Sequence, residues 1–222
     1  MKQEELNKIL KEHKLWLGGK DGIRAILKGA DLQGSDLQGA NLRYADLEDA
    51  ILKGSNLQGI DLKGANLRNA DLEDTNLKGA NLRYADLKGV DLQGADLKGS
   101  NLQGTDLQCA NLRFTDLQGA ILQDADLEGA DLKDADLRYV SLQRANLKNA
   151  DLQDANLKGA DLQDANLQDV DLQDVNLQNA ILRNANLQGA DLRYAILKGT
   201  NLKGANLQDA NLQGADLQQI IK

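Results

Sequence analysis

Leucine stands at every fifth position from Leu27 to Leu217, 39 times in succession without a miss. Few folds accept such a beat. On an α-helix a five-residue step rotates by about 500°, so the leucines would wander round it. On a flat strand an odd step sends successive leucines to opposite faces. The other four slots are nearly as regular. Slot one, two residues before each Leu, is Ala in 27 repeats and Ser, Thr, Val or Ile in 12, as at Ser35, Thr75, Val90 and Ile60. Slot two is Asp in 18 and Asn in 15, the exceptions being Ile26, Ile51, Ile121, Ser141, Ile181 and Ile196. Leu is slot three. Slot four is always Gln, Lys, Arg or Glu, and slot five is Gly in 18 repeats, otherwise mostly Asp, Asn or Tyr.

A coil of short straight sides satisfies this pattern. Leu and the small residue two earlier point inward, and the other three point out. Gly, Asn and Asp supply the turn at each corner. Stacked coils then pair the backbone groups of one turn with those of the next. The core this makes is unusual, because aromatics are only 3% of the chain and proline is absent. It must be built from Leu and small residues.

The A-[DN]-L-x-x word, unbroken over residues 25–219, resembles the pentapeptide repeat family. The resemblance implies an all-β solenoid, a right-handed quadrilateral β-helix with four repeats per coil. The repeats then make roughly ten coils, about 47 Å long at ~4.8 Å per coil.

The ends depart from the word. In residues 1–24, Leu6, Ile9, Leu10, Trp16 and Leu17 fall at helical spacing, and Gly18-Gly19 is a stop signal. This predicts an amphipathic helix from about Gln3 to Leu17 that covers the first coil with its apolar face. An uncovered coil would expose unpaired β-type backbone. Residues 220–222 form a short tail. Ile220 and Ile221 stand beside an open last coil, so they are either a homodimer contact or a plug folded over the end.

Composition excludes several functions. The net charge of −8 and pI near 4.7 argue against direct nucleic-acid binding. No apolar stretch is long enough to span a membrane and no signal peptide is visible, so a cytoplasmic location is expected. His13, the one histidine, and Cys109, the one cysteine, fall in different parts of the chain and carry no catalytic motif. No phosphate loop or His/Cys metal spacing occurs. No enzyme, cofactor or metal is expected. His13 is expected to be a surface or capping residue, and Cys109 an exposed thiol.

With four repeats per coil, residues twenty apart stack, and each outward charge has a face. The Leu32 series carries 12 acidic and 4 basic residues, net −8, and the adjacent Leu27 series 9 and 4, net −5. The Leu37 series is neutral and the Leu42 series has 4 acidic and 6 basic, net +2. On the most acidic face Asp131, Asp151, Asp171 and Asp191 share one slot, and Asp134, Asp154 and Asp174 another. Like charges so stacked repel unless ions or a partner relieve them, with Lys133 and Arg193 relieving part. A Ca²⁺ ladder is disfavoured, since such columns lack converging carbonyls.

These residues are the candidate partner-binding face, with a solvated polar wall as the bland alternative. The primary functional expectation is a structural or protein-binding rod. The family resemblance implies a second: some members are acidic rods that imitate B-DNA and bind DNA gyrase, a type II topoisomerase. The two acidic faces reach one net charge per roughly 3.6 Å of rod, against one per ~1.7 Å for duplex DNA. The C-terminal dimer module and protruding loops of gyrase-acting members are not evident in this sequence. A third possibility is a consensus-like array with no selected partner.

Overall fold

The computed structural model describes residues 1–222. One α-helix, α1 (Gln3–Leu17), precedes an unbroken stack of coils. Parallel β-bridges join residue i to i+20 from Ile26↔Asp46 through Asn201↔Ile221, so each coil has four five-residue sides. Continuous strands are absent. Each side makes its one β-bridge through the slot-two residue, because a turn at every corner leaves no room for a longer extended run.

Every backbone N–H of a typical repeat has a destination, and the destinations explain the word. Slot one donates to the carbonyl of the preceding Leu, as Ala30 to Leu27 at 3.0 Å. That bond closes a four-residue turn. Slot two donates to the coil before, as Asp46 to Ala25 at 3.0 Å. Slots three and five donate to the coil after, as Leu27 to Asp46 at 2.6 Å and Gly29 to Glu48 at 2.8 Å. The slot-four N–H reaches neither neighbouring coil. It donates instead to the slot-two side chain of its own repeat, as Gln33 to Asp31 Oδ1 at 3.1 Å. Every slot-two Asp and Asn accepts this bond. A short side chain with an oxygen three bonds from Cα is what an Asx turn needs, which is why Asp and Asn hold that slot.

Slot five sits at the third position of each turn and has positive φ in all 39 repeats, from 53° to 75°. A positive φ there with an ordinary one before it is the type II pattern, which favours Gly. Twenty-one of these residues are not Gly, among them Tyr44, Cys109 and Arg144. Each carries a left-handed strain that the stacked ladder holds in place.

The core is one continuous column. Every Leu from Leu27 to Leu197 is at most 3% exposed. Most buried hydroxyls in slot one turn back on the chain, Thr75 donating to the Leu72 carbonyl at 2.7 Å and Ser100 to Leu97 at 2.7 Å, whereas the buried Ser55 hydroxyl has no partner. Polar side chains are thereby accommodated in an apolar column.

α1 covers the first coil. Leu6 is buried, and Ile9 and Leu10 pack against the core. Two expectations need correction. Trp16 does not lie within the buried face; it is 37% exposed at the helix edge, stacked on His13 with ring centroids 5.5 Å apart. Leu17 is only half-buried. Fully buried His13 takes the central place, and its Nδ1 accepts the Ala25 N–H at 3.0 Å. That amide opens the first repeat and has no preceding repeat whose Leu carbonyl could take it. The turn into the array passes so close beneath α1 that a Cβ on Gly22 would lie 2.4 Å from the Glu12 carbonyl oxygen. No helix is long and apolar enough to cross a membrane.

Burial lowers the pKa of His13 below the usual imidazole value, with the Arg43 backbone opposing and the Arg24 charge assisting. A lowered folded-state pKa means that stability is complete above the unfolded value of about 6.5 and falls as pH drops below it. Protonation also removes the lone pair that holds Ala25. Trp16 emission is expected to report loosening of α1 below about pH 6.5, and His13→Gln to abolish the step. In the array, Cys109→Gly is expected to raise stability by about 1 kcal/mol in urea denaturation, because it relieves a φ of 55° at an exposed side chain.

Candidate functional site

The sides follow one another in chain order around the coil, so the Leu32-series face lies opposite the Leu42-series face. The most acidic and the only net basic faces therefore back onto each other across the leucine core.

The bridges join Asp131 to Asp151, Asp151 to Asp171 and Asp171 to Asp191. This is the longest uninterrupted run of Asp in any slot-two column. Elsewhere Asn breaks the runs and repairs them. Asn56 donates to Asp36 at 3.0 Å, Asn81 to Asp61 at 2.9 Å and Asn146 to Asp126 at 2.9 Å, each one coil back. An Asp stacked on an Asp has no donor to offer.

Slot-four cations supply what relief there is. Lys133 pairs with Asp151 at 2.5 Å and Arg193 with Asp191 at 2.6 Å; Arg113 lies 3.9 Å from Asp131. The Arg193 guanidinium holds Asp191 below the usual carboxylate range. Beyond its turn amide, Asp171 has only the Gln173 side-chain amide, at 3.1 Å, and no cation. The slot-two column is thus more neutralised than its sequence suggests.

Slot five is different. Asp134, Asp154 and Asp174 are exposed, have φ of 58°, 60° and 56°, and form no ion pair. The left-handed turn aims them outward, away from the slot-four cations. They form the free anionic edge of the face.

The opposite face carries a column that the sequence reading left inside a net charge. Arg43, Lys63 and Arg83 occupy slot four of three successive coils. The Arg43 guanidinium lies 5.5 Å from the Tyr44 ring, and Lys63 and Arg83 lie 6.0 and 5.3 Å from Tyr84. Asp61, 4.0 Å from Arg43, is the one carboxylate in ion-pair reach of the column. The signal was the number series 43, 63, 83.

His13 and Cys109 are not brought together: His13 is sealed under the cap, and Cys109 is exposed four coils on. No three His, Cys, Asp or Glu side chains converge as metal ligands would. At the far end, Ile220 and Ile221 do not fold across the rod. They keep the beat, Ile220 packing against the core and Ile221 pairing with Asn201. An open, mostly apolar hollow of about 450 Å³ remains there, lined by Leu202, Leu207, Leu212, Leu217 and Ile220.

The family model for pentapeptide repeats matches in 8 copies over residues 23–54, 55–94, 85–124, 95–134, 130–169, 171–209 and 185–221. Comparison with curated protein sequences gives no match. Among solved structures, the chain is similar to HetL, a pentapeptide repeat protein involved in heterocyst differentiation regulation from the cyanobacterium Nostoc sp. strain PCC 7120. The identity is 36% over 93% of each chain, with a TM-score of 0.56. It is also similar to full-length QnrB1, a plasmid-mediated fluoroquinolone resistance protein, at 19% identity over 88% of this chain and 91% of that one, TM-score 0.46. Rfr23, a pentapeptide repeat protein from the cyanobacterium Cyanothece 51142, is 30% identical over 55% of this chain and 90% of its own, TM-score 0.25.

Proposed function

The chain belongs to the pentapeptide repeat family, and from that premise we propose that it is a non-enzymatic protein-binding rod whose acidic face receives a basic protein surface. The observation that carries this reading is the Asp134, Asp154 and Asp174 edge, three unpaired carboxylates held at one-coil intervals on a rigid wall. Strained turns that keep like charges aligned cost stability, and a cationic partner would offset that cost. The right-handed coil that membership implies would leave this wall straight along the rod. The likeness to HetL, which is involved in regulation, supports binding over chemistry. It does not name the partner, since the invariant Leu alone supplies one residue in five of any aligned array.

A type II topoisomerase such as DNA gyrase is the alternative, more particular partner, which the acidic faces would engage by imitating the charge of a duplex at about half its density. Purified gyrase is expected to lose supercoiling activity when the protein is added. The inhibition should weaken at high salt and weaken again in the Asp134→Asn, Asp154→Asn, Asp174→Asn variant. No effect at large excess sinks the topoisomerase reading. The broader reading fails if immobilised wild type and triple variant retain basic proteins equally.

The hollow at Ile220 supports an end-to-end homodimer as well, because a second open coil would bury the exposed Leu217 and Ile221. Ile220→Lys with Ile221→Lys is expected to leave a monomer with an unchanged circular dichroism spectrum. A dimer that survives has its interface elsewhere.

A further inference from the structure

We propose that the rods associate side by side, the Arg43, Lys63 and Arg83 column of one copy seating on the Asp134, Asp154 and Asp174 column of another. Both columns are built by the same i to i+20 ladder. Three cations and three carboxylates therefore stand at the same spacing, one coil apart, each set spanning three successive coils. An extended peptide places same-face side chains about 6.8 Å apart, and the phosphates of a duplex strand advance about 3.4 Å each along the axis while winding around it. Neither matches the coil spacing of about 4.8 Å. A second copy of this chain matches it by construction.

The charges are also available. Asp134, Asp154 and Asp174 form no ion pair, nor do Lys63 and Arg83, and Arg43 has only the long contact to Asp61. The Tyr44 and Tyr84 rings flank the cations and are 42% and 53% exposed, an apolar surface that a flat partner wall would cover. The chain's net charge of −8 opposes association at long range. At ordinary ionic strength, screening over about 8–10 Å leaves the groups that face each other across the gap to decide.

The two columns lie on opposite faces and on different halves of the rod. A seated pair is therefore staggered, and each rod keeps its other column free. Such a contact is heterologous and does not close, so it propagates into an open row. This differs from an end-to-end dimer, which is closed and apolar. The acidic edge is shared with the partner reading above, but the inference rests on register and charge alone, so either can fail while the other stands.

Sedimentation velocity of the full chain at about 0.1 M and 1 M salt tests it, the lower value being the one at which the net charge is already screened. The expected result is concentration-dependent growth beyond a dimer at low salt, with at least about tenfold weaker association at high salt. Two variants give the decisive arm: Arg43→Gln, Lys63→Gln, Arg83→Gln, and Asp134→Asn, Asp154→Asn, Asp174→Asn. Both substitutions use residues that the same slots hold elsewhere, as at Gln103 and Asn149, so the fold is retained. Each variant alone should stop growing, and their equimolar mixture should form a 1:1 pair and no more. A wild type that does not grow at low salt overturns the proposal. So does association indifferent to salt, unchanged in both triple variants and removed by Ile220→Lys with Ile221→Lys, which assigns it to the rod end.

Discussion

One amide in five has no neighbour to bond. In a coil with five-residue sides, three of the five N–H groups reach an adjacent coil and one closes the corner, but the slot-four N–H points along the wall. The slot-two carboxylate or carboxamide two residues earlier takes it, in every repeat that has one. Where Ile or Ser stands instead, as at Ile51 and Ser141, that amide makes no bond to the slot-two side chain, and the Ser141 hydroxyl donates to Gln143 Oε1. A backbone requirement therefore dictates a polar, often anionic, surface. The acidity of the rod begins as turn chemistry before it is anything else.

That origin separates incidental charge from displayed charge. Slot-two Asp is occupied with its own backbone and is commonly bridged by an Asn above it or a slot-four cation beside it. Slot-five Asp has no such duty. It occupies a conformation that Gly would hold more cheaply, and Asp134, Asp154 and Asp174 do so in succession without a cation. The same logic applies to the aromatics. Tyr44, Tyr84, Tyr139 and Tyr194 each lean over a glycine one coil on, at Gly64, Gly104, Gly159 and Gly214, where an added Cβ would meet the ring at 2.6–2.7 Å. Phe114, followed by Asp134, is the exception. A wall that tolerates strain at these points gains exposed side chains at its corners, free in the case of Asp and laid along the wall in the case of Tyr.

Much of this was legible because the chain repeats. The leucine beat gave the inward slots, and the twenty-residue register sorted the outward ones into faces. α1 and its buried Leu6 followed from helical spacing. His13 was not legible in full, because its task depends on an amide, that of Ala25, which lacks a partner only at the edge of a stack. Trp16 was misplaced since spacing cannot say how far round a helix the coil extends. The neutralisation of Asp151 and Asp191 was partly visible in Lys133 and Arg193. The Arg43 column and the tyrosine-over-glycine pairs lay in plain sight at intervals of twenty, a distance at which no ordinary motif is read.

The ladder spacing has a consequence for how the chain finds its shape. Bridged residues are always twenty apart in a chain of 222, a relative contact order of about 0.09. That value belongs with helical bundles rather than with sandwiches and barrels, so each coil closes at a small and constant cost in loop entropy. The same regularity creates a hazard. A slip of twenty residues leaves every Leu, every turn glycine and nearly every Asx bond satisfied, so the array cannot locate its own first coil. The cap can. The close fit of Gly22 beneath α1 and the Ala25 bond to His13 occur once, at one end. They mark where counting starts, and growth of the stack from that point inherits a single frame.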